Sequence, residues 1–299
     1  MKRRTFMRDS SLVAMSIGVF GKIKWNGNSY TGEDATTTDI LGPFYRPGAP
    51  VRTDLVQKGS SGEVIHVCGI IFAKDGKTPV KDALIEIWHC NENGVYDNTS
   101  DDYNYRASFK TGGDGKYHFR TILPVPYKAG PTSTRPAHFH FRISGSGEQD
   151  LVTQVYFKGD KYIPGDGCSA DPRALNRILD ISKNADNEKM VTFNIVLKDT
   201  YQLSDAAYEK LSGVYRVSDD GGRMAEFYKM GNELFLKMNG HIVEAMEYKG
   251  NNSFEGGMGL MKAQFDLTEP EKVKVKITYE YDGKIQTSME GYKYMKYSS

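Results

Sequence analysis

The sequence predicts an all-β chain: an antiparallel β-sandwich over residues 31–200, then a small β-sheet or barrel-like domain over residues 205–299. Three observations carry this. From residue 63 onward, short runs rich in β-branched and aromatic residues recur at regular spacing, with turn signals between them. Glycine is plentiful, at 31 residues, and its turn dipeptides are spread along the chain, as many short strands require. Around residues 198–213 the texture changes, and beyond it the chain reads as strand to the end.

Taken in order, residues 1–30 stand apart. Arg3 and Arg4, then Phe6, precede a mildly apolar stretch at residues 11–21, the pattern of a twin-arginine export signal and linker. That stretch is too short to cross a bilayer as an ordinary helix, so no stable membrane span is expected. A periplasmic or secreted protein is the expectation, and a cytoplasmic one if this segment is not a signal. Residues 63–73 form the first strand, closed by the turn Lys74-Asp75-Gly76-Lys77. Residues 83–90 are the next. Gly112-Gly113-Asp114-Gly115 then turns into residues 116–123, whose alternation suits one buried face. Strands at residues 136–143, 151–157 and 190–197 complete the sandwich, interrupted by a predicted helix at about 171–182. Ser204 is placed to cap a short helix over residues 205–211, with Gly213 stopping it. Hairpins follow at Gly231-Asn232, Asn239-Gly240 and Asp282-Gly283, and residues 272–281 alternate strongly.

A net charge of +1 leaves no reservoir of positive charge for a polyanion, which argues against nucleic acid as a partner. Cys68, Cys90 and Cys168 make neither a zinc spacing nor a disulfide framework. Two buried thiols and one loop thiol is the plain reading. A Cys68–Cys90 disulfide stays open for an exported chain.

The stretch Arg135-Pro136-Ala137-His138-Phe139-His140-Phe141 is the most informative. On a strand, residues two apart share a face, so His138 and His140 present two imidazoles side by side, half of a metal site. An isolated His-x-His pair fits two hydrogen-bonded histidines equally well. Upstream, Pro124-Val125-Pro126-Tyr127 is a stiff loop holding a tyrosine. Further upstream, Trp88 through Gly94-Val95-Tyr96 takes a strand into a turn ending in another. With 19 tyrosines in the chain, neither stands out alone. His89 is read as structural, and His66, His118 and His241 earn no metal assignment.

Several segments in series resemble the intradiol dioxygenase family of catechol, hydroxyquinol and protocatechuate dioxygenases. They are Ile40-Leu41-Gly42-Pro43-Phe44-Tyr45, Ile85 through His89 and on to Tyr96, Phe119 through Pro124 and on to Tyr127, Arg135 through His140, and Thr153-Gln154-Val155-Tyr156-Phe157. They fall in the family's order across most of residues 36–160. The resemblance implies one Fe(3+) per sandwich, held by Tyr96, Tyr127, His138 and His140. It makes Tyr127 the ligand that leaves when substrate binds, and Tyr96 the one that stays. It assigns Arg135 to stabilising negative charge on substrate, and Gln154 to orienting substrate or ligands. Ile40, Pro43 and Phe44, with Arg135, become the substrate-binding residues. The implied partners are a small aromatic diol and O2, and the implied product is a muconate-type dicarboxylic acid. The residue types suit this chemistry. A phenol with a pKa near 10 ionises at neutral pH only against a strong Lewis acid, and hard phenolates favour the ferric state.

Departures from the family pattern shape further expectations. Too few residues precede Asp39 for the helical dimerisation region of the catechol enzymes, so a monomer or weak homo-oligomer is expected. The C-terminal β domain lies outside the family pattern, and a structural or ligand-binding accessory role is the default for it. Two other readings stay open at this point: a non-catalytic secreted β-sandwich binding module with an incidental metal site, and a zinc hydrolase using the histidine pair.

Overall fold

The computed structural model describes residues 24–25, 30–31, 35–145, 147–199, 201, 203–217, 223–269, 272–281 and 283–294. The twin-arginine segment therefore lies outside the described residues, as does Asp282 of the last predicted hairpin. No helix among the described residues is long and apolar enough to cross a membrane.

Two sheets pack face to face. The first runs in the order Ile178–Leu179, Leu151–Phe157, His138–Ser144, Leu84–Trp88, Arg106–Lys110, antiparallel except at its first pair. The second is centred on Val64–Phe72, which pairs antiparallel with Lys116–Ile122 but parallel with both Lys189–Thr192 and Ile195–Val196. Ile65, Val67, Ile71, Ile85, Ile87, Phe139 and Phe141 fill the space between them. The alternation in Val64–Phe72, buried at every second residue, is what a sheet with one covered face dictates.

One expectation is corrected, one strand is new and one open alternative is closed. The helix predicted at residues 171–182 is a short 3₁₀ turn, Pro172–Arg177, followed at once by the strand Ile178–Leu179. Asp171 caps it by accepting from the Arg173 amide at 2.8 Å, and Pro172 starts it. Ile178 leaves it in an extended conformation to pair beside Tyr156, so sheet pairing overrides helical propensity. The strand Arg106–Lys110 was not foreseen. Its buried Arg106 breaks the apolar pattern, and that guanidinium is satisfied by the Phe44 and Asp97 carbonyls. All three cysteines are free, so the open Cys68–Cys90 pairing is not made.

The helix Asp205–Leu211 forms as expected, with Ser204 accepting from the Ala207 amide at 3.3 Å. After it the chain closes an eight-stranded antiparallel barrel between Gly213–Arg216 and Lys284–Lys293. Its interior is filled by Tyr215, Phe227, Leu236, Met246, Phe254 and Phe265, among others, as in small barrels packed with side chains.

The barrel does not stand apart. His138–Ser144 and Leu151–Phe157 are buried at every residue, so the outer face of the first sheet is covered as well. Residues 36–45 and the barrel cover it. Leu41, Tyr45, Trp88, Tyr96 and Val152 cluster with Phe235 and Ala245 from the barrel.

Candidate metal centre

Alternation along His138–Ser144 sends Phe139, Phe141 and Ile143 into the inter-sheet core and His138, His140 and Arg142 to the opposite face. Register then selects their neighbours. Trp88 and Gln154 lie directly across from His140, and Tyr156 across from His138, so all share that face. The Trp88 indole stacks on His140, with ring centroids 4.8 Å apart and planes 10° from parallel.

Two loops bring the tyrosines. Asn91 bends the first, its side-chain oxygen accepting from the amides of Asn93 at 2.9 Å and Val95 at 3.0 Å. Gly94 sits at φ +75°, and a methyl group there would meet the Tyr127 Cβ at 3.0 Å, so glycine lets the loops close. Tyr127 is opposite Arg135 in a two-residue pairing of Tyr127–Lys128 with Thr134–Arg135. The Tyr96 hydroxyl lies 3.3 Å from the His138 Nε2, which lies 3.2 Å from the His140 Nε2. The Tyr96 and Tyr127 rings meet edge to face at 5.5 Å, and Tyr127 is 5.7 Å from His138 between ring centroids. The four predicted ligands are therefore together. Tyr96, His138 and His140 are buried; Tyr127 is half-buried.

The protonation states follow from burial. His138 Nδ1 donates to the Pro136 carbonyl at 2.7 Å, which leaves its Nε2 as a lone pair facing Tyr96 and His140. Burial, then the Arg135 charge, pushes the His138 pKa down to about 3. Burial, then His138, holds His140 well below the ordinary histidine value. Both rings are neutral at pH 7. Burial, then the neighbouring Tyr127, holds the Tyr96 phenol well above its usual pKa; burial raises Tyr127 too, against the Arg135 charge. Two neutral imidazole nitrogens and two protonated phenols thus converge, and the phenols become anionic only if something displaces their protons. The set fits a hard, highly charged cation, strong enough to displace both phenolic protons.

Arg135 lies beside this group and is fixed in place. Its Nε donates to Asp166 Oδ1 at 2.9 Å, and its Nη2 donates to the Tyr156 hydroxyl at 3.0 Å. Burial disfavours the cation, but Tyr156 and Asp166 outweigh burial and hold it charged. Gln154 touches no imidazole through a hydrogen bond. It donates from Nε2 to the Ile40 carbonyl at 2.7 Å, and its Oε1 lies 3.0 Å from the Tyr156 hydroxyl oxygen. Phe44 stacks on Tyr96 at 4.3 Å, while Ile40 is half-buried and Pro43 exposed.

Sequence reasoning missed Asp39, Asp166 and Arg177. Tyr156 donates to Asp39 Oδ2 at 2.9 Å, and Asp39 also pairs with Arg177. Tyr156 lies within one of the family-like segments, yet no local signal gave it a role. Asp166 and Arg177 sit in loop and 3₁₀ segments with no local pattern, and only the fold brings them to Arg135 and Asp39. His89 is structural as expected, its ring spanning the Cys90 carbonyl and the Thr121 hydroxyl at 2.7 Å each.

Comparison with known proteins agrees in extent with this geometry. The family described as "Dioxygenase" matches residues 40–199. Chlorocatechol 1,2-dioxygenase of Rhodococcus opacus is 35% identical over 196 residues, covering 57% of this chain and 75% of the relative. The 6-chlorohydroxyquinol 1,2-dioxygenase of Cupriavidus pinatubonensis is 31% identical over 217 residues, covering 67% of this chain and 76% of the relative. Catechol 1,2-dioxygenase 2 of Acinetobacter lwoffii is 36% identical over 150 residues, covering 44% of this chain and 54% of the relative, so the chain spans about half that enzyme. Among solved structures, catechol 1,2-dioxygenase from Pseudomonas arvilla C-1 superposes with a TM-score of 0.50 at 26% identity, covering 68% of this chain and 69% of that one.

Proposed function

Because this chain belongs to the intradiol ring-cleaving dioxygenase family, we propose that it cleaves a catechol-type diol with O2 to a muconate-type dicarboxylic acid. The observation that carries this is the convergence of two neutral imidazole nitrogens, 3.2 Å apart, with the Tyr96 and Tyr127 phenols. One ferric ion is the cation we assign to Tyr96, Tyr127, His138 and His140. When bound, it supplies the Lewis acidity that ionises the phenols and the diol and opens the diol ring to O2.

The chain's own residues do the rest. Tyr127 is half-buried on a two-residue strand, whereas Tyr96 is buried and stacked by Phe44. Tyr127 is therefore the phenol we assign to swing away as in the family, its oxygen taking one of the diol's two protons while a water or hydroxide would take the other. Tyr96 stays. Arg135, locked by Asp166 and Tyr156, offers a fixed positive charge where negative charge develops on the ring. Gln154 holds the Ile40 carbonyl, and Ile40, Pro43 and Phe44 supply apolar surface for a flat substrate. The burial of His138, His140 and Tyr96 keeps water from competing. The reaction balances without an external reductant. The bond between the two hydroxylated carbons breaks, both oxygen atoms of O2 enter the diacid, and the diol itself is what O2 oxidises. The Arg3-Arg4 segment supports export as the setting, testable by cell fractionation.

An oxygen-uptake assay across catechol, hydroxyquinol and protocatechuate, run beside iron analysis and a visible spectrum, tests this reading. Expected are stoichiometric iron, a reddish charge-transfer band and uptake of one O2 per diol. A colourless zinc protein that takes up no O2 would overturn it.

A further inference from the structure

We propose that Glu244, contributed by the barrel, is a positioning residue for the substrate pocket, its carboxyl group holding residues 39–45 against the His140 imidazole. The proposal rests on the reading of the site given above. Glu244 is buried on the strand His241–Gly250, and its Oε1 accepts from the Leu41 amide at 3.2 Å and the Ala245 amide at 3.1 Å. The residue after Leu41 is Gly42, at φ +78°, where a methyl group would lie 3.1 Å from the His140 Cε1. Backbone anchored by the barrel and backbone pressed on the imidazole are therefore adjacent residues. Their neighbours Ile40, Pro43 and Phe44 are the pocket residues.

The segment is held from the other side as well. Gln154 donates to the Ile40 carbonyl at 2.7 Å, and the Val152 carbonyl accepts from the Asp39 amide at 2.9 Å. Both belong to the sandwich, so Glu244 completes a clamp that closes only when barrel and sandwich are docked. The adjoining turn Gly257–Gly259 seats on the same place. A methyl group at Gly257 would lie 3.4 Å from Ile40 Cγ2 and 2.5 Å from Glu244 Oε2, and the Met258 carbonyl accepts from Arg173 Nη1 at 2.8 Å.

A buried carboxyl group with no basic partner among the described residues is a poor stabiliser, because its desolvation is not repaid by an ion pair. Its two backbone amides are what it has instead, and one belongs to the pocket segment. Burial pushes its pKa up to about 8, and the oxygen facing Leu41 accepts in either protonation state.

The test uses the full-length, iron-loaded protein with Glu244→Ala and Glu244→Gln, read by hydrogen exchange of the 39–45 peptide and by diol steady-state kinetics. Glu244→Ala is expected to speed exchange in that peptide about tenfold while peptides in the barrel strands hold their rates. Its KM should rise about tenfold with kcat changed by less than about threefold, since ground-state positioning is what is lost. Glu244→Gln keeps an accepting oxygen and is expected to restore both readouts. Wild-type exchange and KM in Glu244→Ala overturn the proposal, as does faster exchange shared equally by the whole barrel, or failure of Gln to rescue. If the Ala variant does not fold, Glu244→Asp, which draws the oxygen back from Leu41, carries the same contrast with Gln. Should the wild type turn over no diol, the enzymatic reading falls, and the exchange arm still decides whether Glu244 holds the segment.

Discussion

His89 and Tyr96 flank the turn that leaves the strand Leu84–Trp88, and burial acts on both by disfavouring charge. For His89 it lowers the pKa from 6.5 to about 4. The sign is that of a depressed folded-state pKa: the unfolded chain binds the extra proton first. The contribution is fully present above pH 6.5 and lost as pH falls towards 4, amounting to roughly 3 kcal/mol over that window. Denaturant midpoints from pH 7 to pH 4 should show this loss added to losses of the same sign from His138 and His140, and His89→Gln should remove its own share, about 3 kcal/mol; an unchanged slope in the variant would place the titration elsewhere. For Tyr96, burial keeps the phenol protonated until a cation takes the proton's place. On the proposed iron site, Tyr96→Phe should remove most of the visible band together with ring cleavage, at least about a hundredfold in kcat, since the four proposed ligands would act as a unit. Retention of the full band would mean another tyrosine carries the charge transfer.

Individual side chains work here because the elements beneath them leave no slack. The strand His138–Ser144 is covered on both faces, and the segment over its outer face approaches so closely that a Cβ at residue 42 would lie 3.1 Å from the His140 Cε1. Gly42→Ala would force a Cβ at φ +78° and against the imidazole, costing about 1–2 kcal/mol from backbone conformation alone. The expected result is a folded protein that loses iron to a chelator several-fold faster than wild type. Iron retention equal to wild type would show that the segment yields without moving His140. At this scale the sequence was legible where a local rule held. Ser204 capped the helix Asp205–Leu211, and alternation marked Lys272–Tyr281. It misled where tertiary partners overruled local preference. Pro172–Arg177 reads as helical, but Arg177 is drawn to Asp39 and the Gln154 carbonyl, and Ile178 to the sheet edge.

Across the molecule, barrel and sandwich share buried charge. Arg142, two residues beyond His140 on the same face, donates to Glu86 at 2.7 Å, Asp150 at 3.2 Å and Glu233 at 3.1 Å, and Glu233 comes from the barrel. The barrel turn at Gly231-Asn232 closes over it, with the Asn232 amide donating to Asp150 at 2.9 Å. Removing Glu233 leaves Arg142 paired with Glu86 and Asp150 but takes away the one charged contact from the barrel, so Glu233→Ala is expected to cost about 1.5–3 kcal/mol in urea unfolding. The same linkage predicts a single cooperative transition. Trp88 fluorescence in a Trp25→Phe background, which reports the sandwich, and far-ultraviolet circular dichroism, which includes the barrel, should coincide on urea titration. Two separated transitions would show the barrel to be an independent module.

What the sequence determined by itself was whatever depends on near neighbours. That covers strands from their period of two, the shared face of His138 and His140, the helix cap, and ordered segments specific enough to mark the family. What only the tertiary structure decided is what joins distant positions. It set Arg135 between Asp166 and Tyr156, bonded Gln154 to the Ile40 backbone instead of an imidazole, and laid the barrel against the sheet face that carries the histidines. The physical reason is range. Periodicity and capping act over a few residues, whereas the bond between Leu41 and Glu244 spans 203 residues and leaves no local pattern at either end.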